Sequence, residues 1–198
     1  MYGKLNITEN HLQVLSLFTN SFSKAYYIRE VQKILKISPR TAQLILSDLE
    51  DKGVIESKTR GKIKSYELKR NNTSSRYLLL TEQYKTIVFL EKRLLIKEVI
   101  EKITPLINGV GIIFGSYAKG TESKDSDLDI FIIGEYDNES IKKISRDYGI
   151  EVSVKSYPLK TFKKNLANDI LIKEVLKNHV VFLNAEQFIK LVLSDGQD

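Results

Sequence analysis

The sequence predicts an α+β (α/β) chain of two domains: a helical N-terminal domain closed by a β-hairpin, and a C-terminal domain with a small mixed sheet, joined by a long helix. Three observations carry this. Apolar residues recur at helical spacing from Thr8 to Gly53, then alternate with polar ones on both sides of "TRGK". Helical spacing continues from about 81 to 104, and after Gly109 short apolar runs and helical patterns take turns. The expected boundaries are 1–76, 77–107 and 108–198.

In the first domain, Thr8 can cap a helix bearing Leu12, Leu15 and Phe18, and a second stripe runs through Ile28, Val31, Ile34 and Leu35. In "ISPRTAQLILSDLEDKG", Ser38 suits the N-cap, Pro39 the first helical position and Gly53 the left-handed stop. The segment "VIESKTRGKIKSYELKR" reads as a hairpin with Gly61 at its turn. Tyr26 and Tyr27 are expected to pack within the helical domain. This order, over residues 8–70, resembles the winged helix-turn-helix superfamily. The resemblance implies duplex DNA as a partner, with Arg40, Thr41 and Gln43 of the third helix toward base edges and Lys58, Arg60, Lys62 and Lys64 of the wing near phosphates. The competing expectation is a winged helix that only mediates protein contacts.

The polar segment 71–76 reads as a linker. The connector helix after it carries two apolar stripes, one through Ile96, Ile100, Ile103 and Ile107, the other through Ile87, Leu90 and Leu94. The second stripe either pairs two copies of the chain in a homodimer or packs within one monomer. Beyond Gly109, "VGIIF", "LDIFII" and "IEVSVKSY" read as strands, and 138–149, 165–177 and 185–193 as helices.

Composition narrows the chemistry. The 198 residues are 42% hydrophobic, enough for two modest cores. There is no cysteine, which excludes a disulfide framework, a thiolate zinc site and a cysteine nucleophile, so any metal must sit on oxygen or histidine. No leader pattern and no run of ~18 apolar residues occurs, so the expected place is the cytoplasm, with no membrane partner. Residues 1–80 hold 14 Lys+Arg against 7 Asp+Glu, whereas 108–198 hold 12 against 14. That asymmetry points to a polyanion partner for the first domain and a different task for the second.

"GSYAKGTESKDSDLDIFII", residues 115–133, carries that task. Side chains two apart on a strand share a face, so Asp127 and Asp129 lie side by side while Leu128 and Ile130 face the core. Paired carboxylates raise each other's proton affinity unless a cation sits between them, and Mg²⁺ takes one or two such groups with water and substrate phosphates. Upstream, Gly115 lets the backbone approach a phosphate, Ser116 adds a hydroxyl donor, and a short helix around Tyr117 to Gly120 offers peptide N–H groups. Lys119 and Lys124 can each offset triphosphate charge.

Gly-Ser, ten residues, then Asp-x-Asp resembles the signature of the polymerase-β-like nucleotidyltransferase superfamily, and "GSYAKG" is similar to its short forms, the minimal nucleotidyltransferases, over 108 to about 190. The resemblance implies that Gly115 and Ser116 hold the β/γ phosphates and that Asp127 and Asp129 bind two Mg²⁺ ions, with Mn²⁺ as a substitute. It also calls for a third carboxylate on a following strand, where this chain has Glu151. Family members often carry arginine where this chain has Lys119. The implied reaction moves a nucleoside monophosphate from an NTP, with ATP the expected donor, to an acceptor hydroxyl. The acceptor would be a protein, such as the toxin partner of an antitoxin, or a small molecule. The competing reading is a DNA-binding regulator whose C-terminal domain senses a nucleotide without turnover. His11 and His179, far apart and without ligand spacing, are expected to do ordinary packing.

Overall fold

The computed structural model describes residues 5–61 and 63–193, and the chain divides into two units, Met1–Thr81 and Glu82–Asp198. In the first, α1 (Glu9–Thr19) follows Thr8, whose N–H donates to His11 Nδ1 at 3.3 Å, and buries Val14, Leu15 and Phe18. The short strand β1 (Tyr26–Tyr27) leads into α2 (Ile28–Leu35), and α3 (Pro39–Asp51) begins where Ser38 Oγ accepts the Thr41 N–H at 3.0 Å. This cap satisfies one of the four orphan donors of the first turn. Strands β2 (Ile55–Arg60) and β3 (Ile63–Leu68) form the expected antiparallel hairpin, with Arg60 opposite Ile63.

Strand β1 was not foreseen. It pairs with the free edge of β3, giving the order β1-β3-β2. Two residues are too few to show a period, and both are tyrosines. Tyr26 packs inward as expected, its hydroxyl donating to the Leu17 carbonyl at 2.8 Å and its ring 5.1 Å from Phe18, but Tyr27 is exposed. Ile34, placed on the buried stripe by spacing, is likewise exposed.

The polar stretch 71–76 begins a helix. Asn71 Oδ1 accepts the Ser74 N–H at 2.8 Å and starts α4 (Asn72–Glu91), while Ser74 Oγ donates to the Val54 carbonyl. Asn, Ser and Thr serve loops and helix caps equally, which is why composition pointed to a linker. The expected single connector is two helices, α4 and α5 (Leu94–Ile103), followed by a 3₁₀ turn over Thr104–Leu106. The break falls at Arg93 (φ −139°, ψ 69°), whose guanidinium is held by Glu122 Oε1 at 2.6 and 2.7 Å and lies 4.5 Å from the Phe89 ring. Ile96, Ile100, Ile103 and Ile107 are buried, whereas Ile87 and Leu94 of the second stripe are exposed.

The second sheet has the order β6-β5-β4-β7. It is built from β4 (Ile107–Ile113), β5 (Leu128–Tyr136), β6 (Val152–Tyr157) and β7 (Val180–Leu183), with the short helix α6 (Gly115–Lys119) after β4. Strands β5 and β6 are parallel, joined through α7 (Asn138–Tyr148), and the other pairs are antiparallel, so the sheet is mixed as expected. Ile130 and Ile132 of β5 pack with Val99, Ile103 and Ile141. Phe131, on the opposite face, meets Phe114, Tyr157 and Phe162 edge-on or tilted at 5.5 to 6.4 Å. Phe162 belongs to α8 (Leu159–Asn165), separate from α9 (Ile170–Lys177), and α10 (Ala185–Leu193) closes the described chain. A central strand covered on both faces reads as a continuous apolar run, as β5 does. Among the described residues no helix is long and apolar enough to cross a membrane.

Candidate active site

The site grows from the junction of β4, α6 and β5. Phe114 is extended and its N–H donates to the Asp129 carbonyl at 3.0 Å, so the turn after β4 is stitched to β5 next to the carboxylates. Gly115 then adopts φ +69°, and a Cβ there would lie 2.1 Å from Asp129 Oδ2. Both the backbone region and the packing of the carboxylate against the α-carbon demand glycine. Ser116, the second residue of α6, is half-buried, and its hydroxyl makes no hydrogen bond among the described residues. Beyond Gly120, Ser123 and Ser126 close a small turn (Ser123 N–H to Ser126 Oγ, 2.8 Å), which presents Lys124 to solvent.

Asp127 is exposed just before β5, and Asp129, its second residue, is half-buried between the fully buried Leu128 and Ile130. The alternation expected from spacing is what the strand displays. Burial raises the Asp129 pKa above the usual carboxylate range, the neighbouring Asp127 raises it further, and Glu174 adds to this against the opposing pull of Lys119 and Lys155. No protein donor bonds the Asp129 carboxylate among the described residues to relieve that repulsion.

Glu151 stands apart from the strand expected to carry it. It lies one residue before β6, exposed, and its carbonyl accepts the Leu128 N–H at 2.7 Å. The register Leu128↔Val152 and Asp129↔Ser153 places the Glu151 backbone opposite Asp127. The expected set of three carboxylates is nevertheless not gathered: among the described residues no group of three His, Cys, Asp or Glu side chains could hold a metal ion. A side chain just before the start of an edge strand has water on its open side and little packing to hold it inward. Lys119, at the end of α6, pairs with Glu174 of α9 at 3.3 Å, and neither Glu174 nor Lys155 was singled out by spacing.

In the first unit, Arg40 and Gln43 are exposed on the opening turns of α3, and Arg60 is exposed at the end of β2. None of the three side chains makes a hydrogen bond or ion pair among the described residues. Thr41 is occupied by the cap, its hydroxyl 2.8 Å from Ser38 Oγ. Two wing lysines are already matched: Lys58 pairs with Glu67, and Lys64 lies 2.8 Å from Glu50 Oε2 and 4.9 Å from the Tyr66 ring centre. Lys62 lies outside the described residues.

Sequence reasoning also missed a buried ionic cluster in the second unit. Glu82 and His179 are almost wholly buried, with Lys85 Nζ 2.9 Å and His179 Nε2 3.3 Å from Glu82 Oε1. Burial opposes the Glu82 charge, but Lys85 and His179 outweigh it and hold its pKa at about 2. Burial in turn pushes Lys85 and His179 toward their neutral forms. His179 Nδ1 is 3.0 Å from the Leu176 carbonyl, and Thr86 Oγ1 donates to the Val181 carbonyl at 2.9 Å. His11, 3.1 Å from Asp48, caps and packs within the first unit.

Residues 92–183 match the family described as nucleotidyltransferase domain. No curated protein matches the chain. Among solved structures, TrmBL2, an archaeal chromatin protein whose structure shows a novel mode of DNA binding, matches at 15% identity over 85% of this chain and 69% of that one. The TM-score is 0.29, and a superposition that loose carries no argument.

Proposed function

We propose, from the match of residues 92–183 to the nucleotidyltransferase domain family, that the chain moves AMP from ATP to an acceptor hydroxyl at the junction of β4, α6 and β5, with Asp127 and Asp129 holding Mg²⁺. The observation that carries this is the packing of the Asp129 carboxylate against the Cα of Gly115, which sets an unpaired acid next to the turn suited to phosphates. Two close carboxylates whose repulsion no protein donor relieves fit a hard divalent ion, with water and phosphate oxygens completing its shell. A divalent ion held there by Asp127 and Asp129 would lower the pKa of an attacking hydroxyl and offset charge on a departing pyrophosphate. Gly115 and the free Ser116 hydroxyl bind the triphosphate, and Lys119 and Lys124 offset its charge. Glu151, opposite Asp127 along the backbone, reaches the acceptor side. The acceptor is a protein, as for an antitoxin modifying its toxin, or a small hydroxylated molecule.

Incubating the chain with ATP labelled at the α or the γ phosphate, Mg²⁺ and candidate acceptors tests this. Transfer of the α label with release of pyrophosphate is the expected result, and binding with no release of pyrophosphate would sink it. The scattered third carboxylate favours one second reading, a nucleotide-sensing regulator without turnover, and that outcome would select it.

The first unit is proposed to bind duplex DNA through α3 and the wing. Its unmatched cations decide the prediction. Arg40→Ala and Arg60→Ala are each expected to weaken duplex binding and reduce its salt slope by about 1. Lys58→Ala, whose charge Glu67 already offsets, should change the slope less. Equal slopes for all three variants and the unaltered chain, in a salt titration of duplex binding, would remove α3 and the wing from the interface.

A further inference from the structure

Beside the candidate active site lies an open cleft of about 340 Å³, lined by Lys119 of α6 and by Lys173, Glu174, Lys177 and Asn178 at the end of α9. Lys173 and Lys177 are four residues apart on α9 and so share its face. Neither makes an ion pair among the described residues. Three ammonium groups thus face a single carboxylate, within a region, 108–198, whose overall charge is negative. The cleft is at the small end of the roughly 300–1,000 Å³ typical of small-molecule sites. It suits a group the size of a diphosphate better than a whole nucleotide.

The one carboxylate in the cleft is engaged with the one lysine nearest the phosphate turn. Glu174 Oε1 is 3.3 Å from Lys119 Nζ, and the two side chains are 52% and 41% exposed. Pairs that exposed contribute little and exchange readily for a better partner. A terminal phosphate is such a partner, with more charge and more acceptor oxygens than a carboxylate, and three lysines can share it. The Asp129 carboxyl feels both Glu174 and Lys119, so the pair stands within electrostatic reach of the acids.

We propose that the cleft between α6 and α9 receives the distal phosphates of the nucleoside triphosphate, with Glu174 occupying Lys119 in their place until the nucleotide arrives. The proposal rests on the nucleotidyltransferase reading and extends it to α9, where Lys173 and Lys177 grip the leaving end of the substrate and Glu174 sets the affinity. Glu174 acts as a competitor built into the fold. Its carboxylate must give up Lys119 before a phosphate can take it, and it repels the incoming anion until it does.

The test is equilibrium binding to the full chain with Mg²⁺, using the α,β-methylene analogue of ATP, whose bridging carbon blocks transfer, and AMP, which lacks the distal phosphates. Glu174→Gln is expected to bind the analogue on the order of three- to tenfold more tightly, and Lys173→Ala and Lys177→Ala each on the order of three- to tenfold more weakly. AMP affinity should be the same in all four proteins, and inorganic tripolyphosphate should compete with the analogue. All three positions are exposed, so unchanged melting temperatures confirm that folding is intact. If the unaltered chain binds the analogue and transfers the α label while the variants match it, or if AMP affinity moves in parallel, the cleft is overturned and the transferase reading stands. If the unaltered chain neither binds the analogue nor transfers label, both fall together.

Discussion

Asp129→Asn is expected to lower nucleotidyl transfer by roughly a thousandfold and, at the same time, to raise the melting temperature of the metal-free protein at neutral pH. The first effect follows from removing the charged oxygen proposed to hold the metal beside the Gly115 turn. The second follows from the direction of the pKa shift, upward through burial, Asp127 and Glu174. A carboxyl whose folded pKa lies above its unfolded value binds more protons in the native state. It therefore favours folding below the unfolded value, and that advantage is lost as pH rises through the folded value. At neutral pH the wild type bears the whole penalty of an ionised, crowded carboxylate, and asparagine bears none. The group is partly exposed and solvent screens it, so the gain is about 1–3 °C, closing as the pH falls below about 4. Mg²⁺ should reverse the order, because it stabilises only the chain that can hold it. Melting curves at pH 7 and pH 4, with and without Mg²⁺, check all of this. A variant that melts below the wild type at pH 7 without metal would overturn the electrostatic strain at Asp129, and one that gains as much from Mg²⁺ would remove Asp129 from the metal site.

Glu82→Ala is expected to be the most destabilising single change in the second unit. It strips the carboxylate from a buried cluster and leaves Lys85 and His179 without their shared partner. Breaking one member of such a cluster costs about 3–5 kcal/mol, on the order of 10 °C in melting temperature for a chain of this size. The double change Glu82→Leu with Lys85→Met removes the paired carboxylate and ammonium together and should recover much of the loss, since a buried pair replaced by apolar side chains costs little. Thermal unfolding followed by circular dichroism separates the cases. If Glu82→Ala melts within about 2 °C of the wild type, the cluster does not contribute the stability that the burial of Glu82 and His179 implies.

The parts of this protein legible in its sequence are those fixed by local patterns. The apolar runs of β4 and β5, the Ser38 cap with Pro39 behind it, and the alternation around Asp129 each depend on near neighbours, and each appears where spacing put it. What escaped depends on partners distant along the chain. Arg93 ends a helix because Glu122 takes its guanidinium 29 residues later, and nothing in the pattern from 81 to 104 announces that. Lys58 and Lys64 look like a basic wing, yet Glu67 and Glu50 are carried to them by the hairpin register and by α3. Glu151 shows the limit most clearly. The resemblance called for an acid on a following strand, and that strand begins one residue after Glu151, which leaves its side chain exposed.

Helix α4 has a practical implication for anyone who divides this protein. Its opening turn is tied to Val54 through Ser74, while its later turns supply Glu82 and Thr86 to contacts with His179 and Val181. Severing the chain in the hydrophilic stretch before Tyr77, where a flexible tether would ordinarily be sought, either parts Ser74 from Val54 or leaves the upstream fragment with a truncated stump of the helix. Fragments that share the whole helix, ending after Glu91 or starting before Asn71, are the ones that should survive purification on their own.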